Sequence, residues 1–411
     1  MLIYLVLCFF IVLIIHGLRK KLWGVSVYLI VVYTVSLVFS VLYTSQYNEF
    51  DRYKDAIIPS ILYCVLLFIC IKPFFRNKPD IIGFKDSHEL KRFIGVGYFF
   101  GILLTVSIIL VIPQIRFIFN YGVGNIRNDI QQGVVSIGVS GISSIGYRLL
   151  LYFGNMAYPL LLMFFYSLVF IEKRVLFKAL LLIGSLSQVV MGLFVGGRTN
   201  IVYYALSFGF SLILFFKLIP RKRKIYILSI SGGIFAAVII YLSIVSAGRF
   251  QGAKEGVDFY NLRYAAIPYL NFCKFFEEMH WHPYSLRRIF PFSLDLFLGQ
   301  FDLLKYRNTI FTNSGMNIGT FVTFLGDLFI DIGFIGLVIY VLLYYFITKK
   351  TVKGNSYNIS NIMCLGIVYI IPLHGLFYYS AYQSQVTFCM MLTFILAKYI
   401  NGNIVVGIKN R

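Results

Sequence analysis

Three short segments place an arginine beside glycine or asparagine, outside the apolar runs of the chain. They are Gly196-Gly197-Arg198, Ser246-Ala247-Gly248-Arg249 and Asn125-Ile126-Arg127. Glycine lets a ligand approach the backbone closely, and a guanidinium group can bind two phosphate oxygens with parallel hydrogen bonds. The alternative for any one of these arginines is snorkelling to lipid headgroups. Arg198 and Arg249 together, each with its glycine, favour a shared anionic ligand.

A second pattern puts small and polar residues at the start of an apolar helix. It consists of Thr312 to Thr320, then Gly326-Asp327, then Asp331-Ile332-Gly333-Phe334-Ile335-Gly336. Such a segment either packs tightly through its glycines or lines a wet cavity.

Three histidines could move a proton. His374 follows Pro372 near the end of an apolar run, whereas His280 and His282 lie in a polar segment with Glu277 and Glu278. These four polar residues could ligate a divalent cation, but no distant partners are visible in the sequence. Solvated loop residues are therefore the favoured interpretation, and neither a metal nor a cofactor is predicted.

Membrane helices must position these residues, because 59% of the chain is apolar and only 13% is charged. A spanning helix needs about 20 mostly apolar residues. The sequence predicts an all-α, polytopic integral membrane protein with about eleven transmembrane helices. Their ranges are 2–16, 22–43, 56–71, 93–112, 149–171, 175–195, 201–218, 225–245, 325–347, 359–379 and 386–400.

The net charge of +21 is explained by membrane topology. With the N-terminus outside and the C-terminus inside, the inner segments hold 23 Lys and Arg residues against four acidic residues. The outer segments hold 14 against twelve, which agrees with the positive-inside rule. Membrane topology therefore accounts for the basicity, and nucleic acid is not a predicted partner.

The chain is predicted to be one membrane domain, 1–411, with long extracytoplasmic loops at 113–148 and 246–324. Within the second loop, 258–280 and 286–306 are predicted to be short amphipathic helices at the outer interface. Their aromatic residues are interface anchors, and some could also stack on sugar rings; examples are Trp281, Tyr284 and Tyr264. Ionisable side chains are almost absent from the middle of the predicted helices, which argues against an ion-coupled transporter.

The sequence resembles the Wzy-type oligosaccharide repeat-unit polymerases, which include O-antigen and capsule polymerases. The resemblance is carried by a Gly-Gly-Arg turn that opens a helix, by a long outer loop late in the chain, and by a polar helix start. The matching residues are Gly196, Gly197, Arg198, Asn317, Thr320, Asp331, Gly333 and Gly336.

The resemblance implies a GT-C-like membrane glycosyltransferase of lipopolysaccharide or capsule biosynthesis. It would transfer a growing glycan from undecaprenyl diphosphate to the terminal sugar of a lipid-linked repeat unit. The reaction would take place on the extracytoplasmic side of the cytoplasmic (inner) membrane. Expected partners are the undecaprenyl-diphosphate-linked oligosaccharide, membrane lipids, a chain-length regulator and a flippase.

The candidate site residues follow from both lines of reasoning. Arg198 and Arg249 are predicted to bind the donor diphosphate, and His374 is the candidate base. Further substrate-binding candidates are Arg127, Arg288, Asn317, Thr320 and Asp331. Related O-antigen ligases often carry a His-Asn pair where this sequence has Met316-Asn317. The base therefore stays open among His374, His280 and His282, and none is needed if leaving-group stabilisation dominates.

Three alternatives stay open from the sequence. A cell-surface polysaccharide ligase would hand the glycan to another acceptor, and a polysaccharide flippase or exporter would move it without chemistry. A membrane scaffold for other assembly enzymes would have no need of the arginines.

The distribution of basic residues makes the topology testable. Reporter fusions placed after Arg223 and after Lys254 are expected to report opposite sides of the membrane, with the second one outside. If both fusions report the same side, the predicted threading is wrong.

Overall fold

A computed structural model describes residues 2–76, 78–121, 142–194, 197–250, 256–299 and 302–402. The first helices are α1 (Leu2–Arg19), α2 (Gly24–Gln46), α3 (Ile57–Ile71), α4 (Ser87–Tyr121), α5 (Ile142–Phe153), α6 (Ala157–Phe170), α7 (Val175–Ser185), α8 (Ser187–Phe194), α9 (Thr199–Phe215) and α10 (Arg221–Phe250). They are followed by α11 (Gly256–Glu278), α12 (Pro291–Leu298), α13 (Leu303–Ser314), α14 (Thr323–Thr351), α15 (Ile359–His374) and α16 (Ser384–Ile400). Two short parallel strands, β1 (Asp80–Ile81) and β2 (Ser356–Tyr357), pair with each other.

The chain forms two compact units, each built from three separate stretches of sequence. Unit 1 contains Met1–Pro79, Asp258–Asn355 and Val368–Phe388. Unit 2 contains Asp80–Val257, Ser356–Ile367 and Cys389–Arg411. The prediction of a single membrane domain stays a prediction.

The helical membrane class predicted from the sequence is confirmed. In the described part of the chain, seven helical segments are long and apolar enough to cross a membrane. Three shorter apolar helices, α9, α15 and α16, accompany them. Each of the eleven predicted runs overlaps helix in the structure, although the run predicted at 359–379 is helical only to His374. A count of eleven spans stays a prediction.

The two long loops are shorter than predicted, because their flanking helices extend into them. α4 continues through Pro113 to Tyr121, and α5 already begins at Ile142, so the loop predicted at 113–148 is reduced from both ends. In the second loop, α10 extends to Phe250, and the amphipathic helix predicted at 286–306 is replaced by α12 and α13.

Unit 2 is held together by close contact between α4 and α7. Gly97 of α4 faces the ring of Phe177, and Gly101 lies against the backbone of Leu180. A side-chain carbon on Gly184 of α7 would in turn lie 3.3 Å from the Cα atom of Gly101. Glycines at this spacing let two apolar helices approach closely, which is how helices associate where no water has to be expelled.

Unit 1 uses hydrogen bonds from buried side chains to the backbone of neighbouring helices. Tyr33 of α2 donates to the carbonyl of Pro372 at 2.7 Å, and Ser40 donates to the carbonyl of Ala266 at 2.6 Å. The hydroxyls of Ser60 and Tyr269 lie 2.7 Å apart and join α3 to α11. In an apolar interior these bonds fix the register of the helices, because an unpaired polar group there is costly.

The longest helix of unit 1, α14, is interrupted at Gly333. This residue has φ 65° and ψ −175°, a conformation that is essentially restricted to glycine. The residues before it, from Thr323 to Ile332, are all buried, whereas exposed apolar residues follow it. Residues 334–351 are about 27 Å long at 1.5 Å per residue, enough to cross most of a bilayer core. Gly333 therefore separates an internal segment from a membrane-type segment.

The backbone at Gly333 predicts the effect of adding one methyl group. Gly333→Ala should lower stability by about 1–3 kcal/mol, because the new carbon takes an unfavourable conformation and lies 3.0 Å from the Tyr284 hydroxyl. Thermal unfolding of the detergent-solubilised chain would measure the change. Gly233→Ala in α10, where an added carbon meets nothing within 4 Å, is the matched control and should be neutral or stabilising. Equal unfolding temperatures for both variants would contradict the prediction.

Candidate functional site

The internal segment of α14 carries two carboxylates inside unit 1. Asp327 and Asp331 lie one helical turn apart, with exposed fractions of 2% and 0%. Positions i and i+4 share a helix face, so both side chains point towards the same surroundings. A buried carboxylate is stable only when hydrogen-bond donors or cations surround it. The partners of these two residues therefore define the site.

Asp331 receives three hydrogen bonds from the segment before α12 and from α13. One carboxylate oxygen accepts from the hydroxyl of Ser285 at 2.6 Å and from the hydroxyl of Tyr306 at 3.0 Å. The other oxygen accepts from the backbone amide of Arg288 at 3.2 Å. Both oxygens are thus occupied, and Asp331 holds two distant parts of the chain in place.

Asp327 forms a buried ion pair with Arg288. The Nη1 atom of Arg288 donates to one carboxylate oxygen, while the backbone amide of Tyr379 donates to the other at 2.7 Å. The rings of Tyr306 and Tyr382 lie on the guanidinium group, with centroids 5.4 and 5.6 Å from its central carbon. The cation is therefore surrounded by one carboxylate and two aromatic faces.

The surroundings change the pKa values of these groups. Burial is the largest single effect on the pKa of Arg288 and would lower it, but Asp327, Tyr306, Asp331 and Tyr382 together raise that pKa. Burial also raises the pKa of Tyr306, which stays a hydrogen-bond donor at neutral pH. Arg288 therefore keeps its positive charge on both sides of neutrality.

The chain immediately before the internal segment is also fixed by specific contacts. The side-chain amide of Asn271 donates to the Thr320 hydroxyl at 3.1 Å and to the carbonyl of Phe321 at 2.7 Å. Thr323 is buried and has φ 63°, which is strained for a β-branched residue. The amide of Phe324 then donates to the carbonyl of Gly375 at 2.7 Å. Irregular backbone therefore marks both ends of the segment that carries the carboxylates.

The three candidate histidines occupy different environments. His374 is the last residue of α15, 1% exposed, and directly precedes Gly375, whose carbonyl binds the start of α14. His282 is half-buried with its Nδ1 atom 3.3 Å from the carbonyl of Ile330, and burial lowers its pKa. His280 is exposed. Of the three, His374 lies deepest in unit 1.

One arginine near the carboxylates escaped the sequence analysis. Arg307 directly follows Tyr306 on α13, and its charge acts on the Tyr378 hydroxyl, which is also within electrostatic reach of Asp327. The Nε atom of Arg307 is buried and has no hydrogen-bond partner among the described residues. Nothing in its sequence spacing distinguishes it from other basic residues, so only the fold reveals it.

The remaining predicted residues lie elsewhere. Asn317 is exposed and accepts a hydrogen bond from the amide of Gly319 at 2.9 Å. In unit 2, Arg198 directly precedes α9, in a tight turn where the amide of Gly197 donates to the carbonyl of Gly192 at 2.8 Å. Arg249 was predicted to lie in the loop 246–324, but it belongs to the last turn of α10. Its side chain and the whole of Arg127 lie outside the described residues.

The chain was compared with models of known protein families, with curated proteins and with solved structures. No match was found. Function must therefore be inferred from the chemistry of the residues. In unit 1, the fold brings together Arg288 and Asp331 from the predicted set and adds Asp327, Tyr306 and Arg307. Thr320 lies just before the internal segment, where Asn271 donates to its hydroxyl.

The buried ion pair leads to a stability prediction. Asp327→Ala should cost about 3–5 kcal/mol, because it leaves the guanidinium of Arg288 buried without its carboxylate partner. The double variant Asp327→Ala/Arg288→Met should recover much of the loss, since it removes both charges. Thermal unfolding in detergent measures all variants.

The matched control is the more exposed ion pair between Arg263 and Glu49, also in unit 1. Glu49→Gln should cost about 0–1 kcal/mol, because water can replace much of the lost interaction. A loss in Asp327→Ala no larger than in this control, or a double variant less stable than the single one, would contradict the importance of the buried pair.

Proposed function

We propose that this chain is an oligosaccharide repeat-unit polymerase of the membrane. It would transfer a growing glycan from undecaprenyl diphosphate to the terminal sugar of a lipid-linked repeat unit, on the outer face of the cytoplasmic membrane. The proposal treats the chain as a GT-C-like glycosyltransferase with about eleven spans.

The observation that supports it best is the internal segment of α14 with its buried polar cluster. Among the residues that carry the family resemblance, Thr320 lies just before this segment, Asp331 anchors it and Gly333 ends it. A purely structural membrane helix has no need of two buried carboxylates, because each must be compensated by donors from distant segments. Rigid placement of polar groups is what a glycosyl transfer requires.

In the proposed reaction, the bond from the donor sugar's anomeric carbon to the diphosphate breaks. A new bond forms from that carbon to the acceptor hydroxyl. The diphosphate leaves with the electron pair, and the acceptor hydroxyl loses its proton. Arg198 and Arg249 are proposed to stabilise the developing charge on the leaving diphosphate, since preorganised cations act most strongly where charge appears during the reaction. Arg127 is proposed as a further anion contact.

Unit 1 contributes a different cation to the proposal. Arg288 already has Asp327 as its partner, so we propose that it positions the neighbouring chain and does not bind the substrate anion directly. Arg307, whose buried Nε atom lacks a hydrogen-bond partner among the described residues, is the better anion contact. The acceptor repeat unit is itself carried on a diphosphate, which gives Arg307 a ligand distinct from the donor.

The base, where one is needed, is proposed to be His374. It is buried and directly precedes Gly375, whose carbonyl binds the start of α14, whereas His280 is exposed. Asp331 is unsuited to this role, because its two oxygens already accept three hydrogen bonds. The identity of the base stays a prediction.

The lipid-linked glycans of a deletion strain test the proposal. A polymerase deletion should leave a single repeat unit where the wild type makes a ladder of chain lengths. A lipid-linked ladder that never reaches its final acceptor would instead identify a ligase. Accumulation of repeat units on the inner face would identify a flippase.

Removing the proposed anion contacts should reduce polymerisation while the protein stays in the membrane. Arg198→Ala and Arg249→Ala should each lose activity on the order of 10² to 10³, as expected for a lost charge-assisted contact in the transition state. Arg307→Ala should lose on the order of 10 to 10², since it would weaken substrate binding. Ladder formation at matched expression is the measurement.

Lysine substitutions and one control complete this experiment. Arg→Lys at positions 198 and 249 should rescue activity only in part, because an ammonium group cannot form two parallel hydrogen bonds. Arg52→Ala removes a surface charge whose side chain is 76% exposed, and it should leave the ladder unchanged. Normal ladders from Arg198→Ala, Arg249→Ala and Arg307→Ala would show that these three arginines do not bind substrate.

A further inference from the structure

A groove on unit 2 combines a cationic end with apolar walls. It is formed by the first half of α4 and the last turns of α16. Lys91 and Arg92 lie at one end, in the second turn of α4, and Val96, Phe99 and Phe100 follow along the helix. Lys91 and Phe99 are about 12 Å apart along the axis at 1.5 Å per residue. The groove therefore changes from charged to apolar over about half the thickness of one leaflet.

Arg92 is held in a defined position at the end of α16. Its Nη1 atom lies 3.4 and 3.5 Å from the carbonyl oxygens of Tyr399 and Ile400, and its central carbon is 5.8 Å from the centre of the Tyr399 ring. The last carbonyls of a helix lack intrahelical donors, so they attract a cation. The guanidinium is thus fixed beside Lys91, which is exposed.

The middle of the groove is open at Gly95. A side-chain carbon built on this residue would meet no other atom within 4 Å. Phe99, two turns from Lys91, is 63% exposed, whereas Phe100 and Val96 form the buried floor. This arrangement leaves an apolar channel that leads away from the two cations.

The acidic residues nearby do not cancel the positive charge. The Glu89 carboxylate accepts hydrogen bonds from the backbone amide of Lys85 at 2.6 Å and from the side-chain amide of Asn358. The Asp86 carboxylate accepts one from the backbone amide of Glu89 at 2.7 Å. Both carboxylates are therefore engaged at the start of α4. Lys85, whose ammonium donates to the side chain of Asn401 just after α16, adds a further cation.

We propose that this groove binds an anionic glycerophospholipid, with its phosphate at Lys91 and Arg92 and an acyl chain along Phe99 and Leu396. The cationic end and the apolar walls complement the two parts of such a lipid, in the order in which a bilayer presents them. A basic pocket between membrane helices is a typical site for an anionic headgroup. The predicted topology places this end of α4 at the cytoplasmic leaflet. The proposal is independent of the glycan chemistry.

Native mass spectrometry of the full chain in a nonionic detergent tests the site. With dioleoyl phosphatidylglycerol, the wild type should retain one lipid in preference to dioleoyl phosphatidylcholine. Lys91→Ala should weaken phosphatidylglycerol binding about fivefold, the effect expected of one lost charge at the headgroup. Gly95→Phe should fill the channel and remove the bound lipid.

Two controls keep the result unambiguous. Lys349→Ala removes an exposed cation at the end of α14, outside the groove, and should bind phosphatidylglycerol like the wild type. Unfolding temperatures without added lipid check that Lys91→Ala and Gly95→Phe are folded. If Gly95→Phe does not fold, Lys91→Ala alone decides the result.

Three results would overturn the proposal. The first is equal retention of both lipids by the wild type, or wild-type binding by Lys91→Ala. The second is displacement of the lipid by millimolar inorganic phosphate, which would identify a site for a free anion. The third is a lipid-independent dimer that Gly95→Phe converts to a monomer, which would show that a second copy of the chain fills the groove.

Discussion

Two buried carboxylates on one turn of α14 set the organisation of unit 1. Charged groups removed from water cost several kcal/mol each unless donors or cations compensate them. Asp327 and Asp331 take their partners from three separate segments: the turn at 285–288, Tyr306 of α13, and the backbone of Tyr379. The turn at 285–288 and Tyr306 are therefore placed for an electrostatic reason, because they bring donors to the same two side chains.

The same constraint explains the irregular backbone around the carboxylates. A continuous helix through 323–351 would carry Asp327 and Asp331 along a membrane-spanning axis, where no donors could surround them. The break at Gly333 separates the internal segment from the apolar one, and the strained Thr323 begins it. Strain of this kind persists only where the surroundings determine the conformation, and here hydrogen bonds from Asn271 and to Gly375 do so.

The sequence predicted the apolar helices well, because long apolar runs have few alternatives to helix in a membrane-type chain. It also identified Arg288 and Asp331 and the glycine at 333, but as separate features. That Arg288 pairs with Asp327 could not be predicted, since a separation of 39 positions in the sequence leaves their distance undetermined. Arg307 was missed for the same reason, as one basic residue among 37 with no distinctive neighbours. The two long loops were predicted to begin too early, because Pro113 and Gly248 resemble helix ends. In the structure both helices continue past these residues.

The occupied carboxylates also bear on the chemistry proposed for this chain. Both oxygens of Asp331 already accept hydrogen bonds, so the cluster is better suited to position an acceptor than to take up its proton. A glycosyl diphosphate, however, has a good leaving group, and bond breaking runs ahead of nucleophilic attack when the leaving charge is stabilised. The acceptor proton then becomes acidic late in the reaction, and even a weak base suffices at that stage. In the proposed polymerase, cations at the diphosphate therefore provide most of the transition-state stabilisation. The buried cluster of unit 1 provides rigid alignment.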